Sequence, residues 1–219
     1  ARKFRIGFAP NSWDSIASRF GKTSEDLVGL EKAGLVKPRN QGEGYYDVFR
    51  NRLMIPILDI HGRVAGFGGR VLSAEDEPKY LNSAESETFN KRKMLFNFRE
   101  AVPAARRSNS VIVVEGYLDA ISLFQHGIKN VVATLGTAIS ADQIYMLARN
   151  CEVVYLCYDA DAAGQKATLR AISLQKDSPV NARVVSFPDP SDDPDSYVSR
   201  EGAESFKKLL EKANDIYTF

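Results

Sequence analysis

The chain has 219 residues, 44% of them hydrophobic and 10% aromatic, so it can bury a full core and is expected to form more than one compact unit. Its formal net charge is only +1, which by itself indicates neither a nucleic-acid nor a membrane partner. The distribution is more informative, because basic residues crowd between Arg50 and Arg107 while acidic residues cluster between Asp159 and Asp195. One half therefore looks suited to an anion and the other to a cation.

The cysteines and the apolar runs narrow the class of protein. Cys151 and Cys157 form no CxxC pair and have no histidine nearby, so neither a zinc site nor a disulfide scaffold is expected. No apolar stretch approaches the ~20 residues that span a bilayer, and no signal peptide precedes the first charged residues. We expect a soluble protein of a reducing, intracellular compartment with no membrane partner. The start, ARKFRIGF, has no Met and indicates a fragment of a longer chain.

The first hundred residues predict irregular structure with a few short elements. The predicted elements are helices over 13–20 and 25–33, and a hairpin of two strands over 53–60 and 63–72. Ser24 is expected to be the N-cap of the second helix and Gly34 its stop. The second strand of the hairpin is rich in glycine, which marks bulges or the close approach of another backbone or a ligand. Residues 73–93 form a long polar segment, a length that is uncommon in loops without a function.

After Ser110 the pattern becomes regular. The predicted elements are strands over 111–114, 131–134, 153–158 and 182–187, and helices over 118–125, from Ser140 to about 148, through Ala163 to Leu174, and from about 203 to 212. Ser140 and Gln143 form a capping box at the start of the second of these helices. Strands that alternate with helices over short connections predict an α/β fold, a parallel sheet flanked by helices. A mixed α+β subdomain is expected to precede it.

Acidic residues follow three of the predicted strands. Glu115 follows the first strand, Asp159 and Asp161 follow the third, and the run FPDPSDDPD follows the fourth. Ligands bind at the carboxyl ends of the strands in parallel sheets, and like charges gathered there favour a bound cation. Carboxylate oxygens without His or Cys suit Mg²⁺ or Mn²⁺, which usually act on phosphate oxygens.

These acids also have structural interpretations. Asp189 and Asp192 lie beside or near prolines and are ordinary turn formers. The pair at 159 and 161 could cap the next helix, and Asp119 lies in the first turn of a helix, where its charge favours the dipole. Glu115 is the hardest to explain in this way, because glutamate is depleted in strands and is not a preferred cap.

Two groups of sequence motifs resemble known families. VVEGYLD, TLGTA and YDADAAG, followed by DDPD, resemble the TOPRIM domain, the metal-binding fold of bacterial primases, some topoisomerases and several nucleases. FRIGFAPNSWD, RNRLMIPILDIHGRVAGFGGRV and PKYLNSAESETFNKRKMLFNF resemble the N-terminal half of the DnaG-type bacterial primase core. The resemblance implies a basic α+β subdomain over 1–109, a TOPRIM domain over 110–198 and the start of a C-terminal helical subdomain over 199–219.

The resemblance also implies an acidic site that holds two Mg²⁺ or Mn²⁺ ions. The implied metal ligands are Glu115, Asp119, Asp159, Asp161, Asp193 and Asp195. Of these, Glu115, Asp159 and Asp161 would be catalytic. The paired aspartates of the family are usually separated by glycine, whereas Ala160 stands between them here, so the turn must accommodate a Cβ.

The implied template and nucleotide groove is basic. The family's groove positions fall on Lys3, Arg70, Lys79 and Lys91, with Tyr80 beside Lys79, and Arg52 and Arg92 are expected to join them. Asn90 and Arg92 replace the His and Gly often found around Lys91. The same lysines could instead form a solvated face.

The function implied is that of a DNA-dependent RNA polymerase that makes short primers at the bacterial replisome. Its expected partners are a single-stranded DNA template, ribonucleoside triphosphates and the RNA–DNA hybrid product. We expect the family's zinc ribbon and its helicase-binding domain to be missing, so that zinc and the replicative helicase would bind elsewhere. Two alternatives stay open: a TOPRIM nuclease or topoisomerase, and a non-catalytic nucleic-acid-binding module.

Overall fold

The computed structural model describes residues 2–73, 77–158 and 180–215. The chain divides into two compact units, Ala1–Asn90 and Lys91–Phe219. The domain boundaries expected from the sequence, after residues 109 and 198, stay a prediction. The predicted helix through Ala163 and Leu174 lies outside the described residues.

The first unit is built around an antiparallel sheet. Its elements are β1 (Gly7–Ala9), α1 (Ser15–Phe20), α2 (Ser24–Lys32), β2 (Val36–Pro38), β3 (Tyr45–Asp47), β4 (Arg52–Leu58), β5 (Val64–Val71) and β6 (Tyr80–Asn82). The predicted hairpin is confirmed as β4 and β5, which pair antiparallel. Strands β1 and β6 flank the hairpin and give the order β1-β4-β5-β6, while β2 and β3 pair separately. Strands of three residues are too short to show an alternating pattern, which is why β1 and β6 were not predicted.

Helix α2 begins at Ser24, one residue before the predicted start, so its N-cap also lies one residue earlier than predicted. The Thr23 hydroxyl accepts a hydrogen bond from the Asp26 N–H at 3.1 Å, and the Asp26 carboxylate accepts one from the Thr23 N–H at 2.9 Å. The N-cap is therefore Thr23, and the prediction of Ser24 is wrong. The predicted stop is confirmed, because Gly34 follows the helix with a φ of 71° that suits glycine.

Two glycines of β5 make room for aromatic rings of the same unit. A Cβ at Gly66 would lie 2.9 Å from a ring carbon of Phe89, and one at Gly69 would lie 2.9 Å from a ring carbon of Phe49. Both phenylalanines are buried. The close approach expected at this strand is thus made, at these two positions, by side chains of the protein itself.

The second unit is the predicted α/β sheet. Its elements are α3 (Phe98–Ser108), β7 (Ser110–Val114), α4 (Tyr117–Gln125), β8 (Val131–Ala133), α5 (Ala141–Ala148), β9 (Val153–Leu156), β10 (Asn181–Val184), α6 (Pro194–Glu211) and β11 (Asn214–Asp215). The strand order is β11-β10-β9-β7-β8, and β8, β7, β9 and β10 are parallel, which confirms the fold class. Only β11 runs antiparallel to its neighbour among these described strands.

Two helices of this unit differ from the prediction. α3 was missed because its buried positions are small, Ala101 and Ala105, and Pro103 interrupts its pattern. α6 was predicted from about 203 but begins at Pro194, capped by Asp193. Gly202, with φ 80° and ψ 168°, breaks α6 in the middle, so only the part after the break matches the prediction.

The core of the second unit packs against β7 and its neighbours. Val113, Val132 and Leu156 of three adjacent strands lie in one buried cluster, to which α3 contributes Ala101 and α5 contributes Leu147. Helix α4 packs against α6. Within the described ranges, every helix falls short of the length and hydropathy that crossing a bilayer requires.

Candidate active site

Glu115 lies where the strand order of the parallel sheet reverses. The chain passes from β7 to β8 on one side of the sheet and returns to β9 on the other side of β7. In open α/β sheets, ligands bind at the carboxyl ends of the strands at such a reversal. Glu115 directly follows the last residue of β7. The fold therefore places this carboxylate at the position where a ligand is expected.

Tyr158 lies beside Glu115. Val113 of β7 is paired with Leu156 of β9, and the Cys157 N–H donates to the Val113 carbonyl at 2.9 Å. The pairing of β7 with β9 therefore continues towards Glu115 and Tyr158. Burial raises the pKa of the Tyr158 phenol, and the negative charge of Glu115 raises it further. Tyr158 immediately precedes Asp159 in the sequence. Asp159 and Asp161 lie outside the described residues, so their convergence with Glu115 stays a prediction.

The turn after Glu115 depends on glycine and on Asp119. The Gly116 N–H donates to the Asp119 Oδ2 at 3.1 Å. A Cβ at position 116 would lie 2.5 Å from that oxygen, so another residue would displace it. Asp119 also lies in the first turn of α4, where its charge favours the helix dipole. Asp119, the second acid of VVEGYLD, thus stabilises the turn that directly follows Glu115, the first acid.

The acidic loop after β10 is organised by its own hydrogen bonds. Asp189 accepts hydrogen bonds from the N–H and the hydroxyl of Ser191, at 2.9 and 2.8 Å, and so forms a turn. Asp193 caps α6 by accepting a hydrogen bond from the Ser196 N–H at 2.7 Å. Asp195 accepts a hydrogen bond from the Ser199 hydroxyl at 3.3 Å. The cap at Asp193 was not foreseen, although Asp followed by Pro at the first helical position is a start signal.

Asp192 is a buried partner of Arg200. The Arg200 guanidinium donates to both carboxylate oxygens of Asp192, at 2.6 Å each. These hydrogen bonds hold the pKa of Asp192 below its ordinary value. Asp192 was predicted to form a turn, and its N–H does close one by donating to the Asp189 carbonyl at 3.1 Å, while its carboxylate binds a residue eight positions on.

Asp192→Asn is expected to change how stability depends on pH. Because the folded pKa lies below the unfolded value of about 3.9, the carboxylate stabilises the fold above that value, and the stabilisation is lost as the pH falls through the folded pKa. The variant should be less stable than the parent at pH 7, and the difference should shrink at pH 3. Urea unfolding at the two pH values measures this. The exposed Asp142→Asn serves as the control, and a difference that is the same at both pH values would contradict the assignment.

Arg70 of β5, Lys79 just before β6 and Tyr80 of β6 form a small surface on the first unit. Arg70 pairs with Tyr80 across the strands, and its guanidinium lies 5.8 Å from the centre of the tyrosine ring. Arg70 and Lys79 line a groove of about 700 Å³ together with residues 71–73, 77 and 78. Lys3 is exposed in a turn near the N-terminus of the same unit. An arginine, a lysine and an exposed aromatic ring are groups that bind single-stranded nucleic acid.

Arg52 is buried, unlike the other predicted groove residues. Only 6% of the residue is exposed, and its guanidinium donates to the carbonyls of Pro78 at 2.7 Å and Glu77 at 3.3 Å. A buried guanidinium whose donors are bound to carbonyls is poorly placed to meet a phosphate. The structure gives Arg52 the task of holding the 77–78 turn against the sheet, and its direct contact with nucleic acid stays a prediction.

The sequence prediction missed an exposed aromatic surface on the first unit. The Arg50 guanidinium lies 4.0 Å from the ring centre of Trp13 and 5.6 Å from that of Tyr46. Trp13 remains 61% exposed. We call these three residues the Trp13 surface. A tryptophan inside a predicted helix gave no reason to expect it, but α1 begins at Ser15 and leaves Trp13 outside the helix.

Asp47 holds the Trp13 surface in place. Its N–H donates to the Trp13 carbonyl at 2.8 Å. Its buried carboxylate accepts hydrogen bonds from the first N–H groups of α1, those of Ile16 at 2.7 Å and Ala17 at 3.0 Å. Asp47, the last residue of β3, therefore binds both the backbone of Trp13 and the N-terminus of α1, the helix that follows Trp13.

Comparison with known proteins identifies the family. Residues 1–102 match the N-terminal domain of the DNA primase catalytic core, and residues 112–198 match a Toprim-like domain. The DnaG primase catalytic domain solved bound to single-stranded DNA is 42% identical, with a TM-score of 0.89, and the match covers 98% of this chain and 69% of that one. This chain belongs to the DnaG primase family. A primase domain from Pseudomonas aeruginosa, 40% identical, has a TM-score of 0.92 over 99% of this chain and 68% of that one.

Full-length members of the family are longer than this chain. The DNA primase of Escherichia coli K12 is 43% identical over 220 residues, which are 99% of this chain and 37% of that protein. The DNA primase of Halalkalibacterium halodurans is 43% identical over 94% of this chain and 34% of that protein. The chain thus spans about a third of the length of these curated relatives.

Members of the family generally use divalent metal ions, and the donor set here fits such ions in kind. Within residues 2–73, 77–158 and 180–215, no three His, Cys, Asp or Glu side chains are grouped to hold a metal. Two of the predicted ligands, Asp159 and Asp161, lie outside those ranges. Glu115 and the acids after β10 supply only hard oxygen donors, which Mg²⁺ and Mn²⁺ prefer.

Proposed function

We propose that this chain is the catalytic core of a DNA primase, which synthesises short RNA primers on single-stranded DNA by metal-dependent nucleotidyl transfer. The observation that carries the proposal is the position of Glu115. It lies at the reversal of strand order, beside the tyrosine that precedes Asp159, in a chain 42% identical to a DnaG catalytic domain.

The acidic residues have different roles in this proposal. Glu115, Asp159 and Asp161 would hold the metal ions, and Asp193 and Asp195 would add negative charge or ligands nearby. Two Mg²⁺ or Mn²⁺ ions, when bound, would stabilise charge on the attacking 3′ oxygen and on the leaving phosphate. Asp119 would hold the turn of Glu115 rather than bind a reactant. No nucleophilic side chain is assigned, because positioning and electrostatics dominate phosphoryl transfer.

The basic and aromatic residues would bind the nucleic acid and the nucleotide. The relative with a TM-score of 0.89 was solved with single-stranded DNA, which supports a template strand as the ligand. The Trp13 surface offers a ring on which a base can stack, and Arg70, Tyr80 and Lys79 offer a second aromatic and cationic group. Lys3, Lys91 and Arg92 would contact phosphates. The product would be an RNA–DNA hybrid.

The setting of the reaction follows from the same proposal. The protein would work in the bacterial cytoplasm at the replisome, a proposal supported by its similarity to DNA primase of Escherichia coli. The replicative helicase is a further proposed partner of the whole protein.

Trp13→Ala is expected to weaken single-strand binding by about 1–3 kcal/mol, the loss that accompanies removal of one stacking ring. Trp13 is the chain's one tryptophan, so its fluorescence should also be quenched when an oligonucleotide binds to the parent. Anisotropy titration of a labelled oligothymidine at low salt measures the affinity. Tyr145→Ala, which removes a ring that is 50% exposed on α5, is the control. Unchanged affinity in the Trp13 variant would remove the tryptophan from the template surface.

Ribonucleotide incorporation tests the function as a whole. The chain is incubated with a single-stranded template, ribonucleoside triphosphates and Mg²⁺ or Mn²⁺ at low salt, because phosphate contacts weaken as salt rises. Metal-dependent synthesis of a short RNA is the expected result. Cleavage of the strand without synthesis would point to a TOPRIM nuclease, and binding without either reaction would point to a non-catalytic module.

A further inference from the structure

Gln143 is a fully buried polar residue near the N-terminus of α5. None of its surface is exposed. Its side-chain amide donates two hydrogen bonds, to the Lys91 carbonyl at 2.9 Å and to the Met94 carbonyl at 2.6 Å. Its Oε1 accepts a third, from the Ser140 N–H at 2.9 Å. A buried amide with all these partners is held in one orientation.

Ser140 binds the same stretch of chain. Its hydroxyl donates to the Arg92 carbonyl and accepts a hydrogen bond from the Gln143 N–H at 3.1 Å. Two side chains therefore bind three carbonyls within four consecutive residues, 91 to 94. We call residues 91–94, KRKM, the basic segment.

These contacts exceed what capping the helix requires. A capping box needs a hydroxyl at the N-cap and an acceptor three residues later, and glutamate supplies that acceptor as well as glutamine does. Only the amide can also donate, and both donated bonds of Gln143 reach a part of the chain 49 to 52 residues away. The choice of amide over carboxylate thus serves the basic segment and not the helix.

The bonds fix the backbone while the charges stay at the surface. Arg92 and Lys93 are exposed and Lys91 is half-buried, whereas the next residues, Leu95 and Phe96, are buried. The segment is therefore anchored by α5 on its carbonyls and by the core at its end. Long basic side chains lose less freedom on binding an anion when their backbone is already ordered.

We propose that Gln143, assisted by Ser140, is a positioning residue that sets the basic segment so that Lys91 and Arg92 meet the phosphates of the substrate. This inference rests on the proposed function, since it gives the basic segment a phosphate ligand. The phosphate could belong to the incoming ribonucleoside triphosphate or to the template backbone. Gln143 itself touches neither, and it acts through the backbone of the segment.

Gln143→Glu is the decisive variant because it keeps the cap and removes the donor. The glutamate can still accept the Ser140 N–H, but it places a second oxygen against the carbonyls of the basic segment. Ser140→Ala is the second variant, since it removes one bond to the segment along with the cap. Thr23→Ala is the matched control, because Thr23 forms the same kind of box on α2 with Asp26, three residues on.

Two measurements on the whole chain separate positioning from general loss of stability. Limited trypsin digestion under native conditions, read by mass spectrometry, reports how accessible the backbone is after Lys91, Arg92 and Lys93. Steady-state synthesis reports KM and kcat, with the ribonucleotide and the template varied in separate series. The first measurement does not depend on the proposed function, and the second does.

We expect Gln143→Glu to be cleaved at the basic segment at least about tenfold faster than the parent and to show a KM raised about tenfold, with kcat little changed. Ser140→Ala should change both in the same direction by less, and Thr23→Ala should change neither. A rise in KM for the ribonucleotide alone assigns the phosphate to the triphosphate, and a rise for the template alone assigns it to the DNA.

Two results would overturn the inference while the proposed function stands. One is a parent that synthesises RNA and a Gln143→Glu variant with the parent's KM. The other is a Thr23→Ala control that shifts KM as far as the Gln143 variant does. A parent chain that makes no RNA would instead overturn the proposed function and this inference with it.

Discussion

Glu115→Gln is expected to reduce primer synthesis by at least about a thousandfold, the scale of loss when a group that stabilises developing charge is removed. The substitution keeps the size of the side chain and removes its charge, so the fold should be retained. Single-strand binding should be equal or slightly tighter, because one negative charge near the nucleic acid is lost. Asp159→Ala should behave in the same way. Primer extension and anisotropy titration on the same preparations measure the two properties.

The control for Glu115 lies at the other end of the sheet. Glu152 is exposed and directly precedes β9, so it lies near the amino ends of the parallel strands. Glu152→Gln removes the same charge from the same chain and should leave synthesis within about threefold of the parent. If Glu115→Gln retained comparable activity, the strand-order reversal would not be the catalytic position.

Phe89→Ala is expected to lower the free energy of unfolding of the first unit by about 3–5 kcal/mol, the usual cost of truncating a buried phenylalanine. The ring is 1% exposed and packs against Gly66 of β5. Gly66 has no side chain that could fill the cavity left when the ring is removed. A loss of this size is a large part of the 5–15 kcal/mol that stabilises typical domains, so the unit could be partly unfolded at 37 °C. Urea denaturation followed by circular dichroism measures it.

Two further variants make the Phe89 test specific. Phe8→Ala removes a ring that is 55% exposed on β1 and should cost far less. Gly66→Ala should destabilise the parent by about 1–3 kcal/mol through overpacking, but less in the Phe89→Ala background, where the ring is gone. If the Gly66 and Phe89 effects simply added, the two residues would not share one space.

The sequence was most informative where the pattern was long and regular. The apolar run before Glu115 and the helix after it predicted a parallel strand and its crossover, and the sheet confirmed both. The capping box of Ser140 and Gln143 was also foreseen, and it is confirmed at the start of α5. What could not be foreseen was the second use of Gln143, because hydrogen bonds to residues about fifty positions away leave no local pattern.

The misses share a physical cause. The burial of Arg52 was not foreseen, because charge is visible in a sequence and burial is not. Trp13 was placed inside a helix because nothing near it in the sequence shows that Asp47 would cap the helix two residues later. The pairing of Asp192 with Arg200 was not foreseen, because Arg200 lies on a helix whose start was missed. In each case the deciding contact is made by a residue distant in sequence or by a helix end.

Arg52 supports the shape of the groove lined by Arg70 and Lys79, whereas exposed residues supply the groove's charge. Its bonds to the carbonyls of the 77–78 turn are partly buried, so dissolved ions screen them less than exposed contacts. Contacts from the exposed Lys79 or Lys3 to a phosphate would weaken with salt. Bound nucleic acid should thus be washed off by concentrated salt without collapse of the turn.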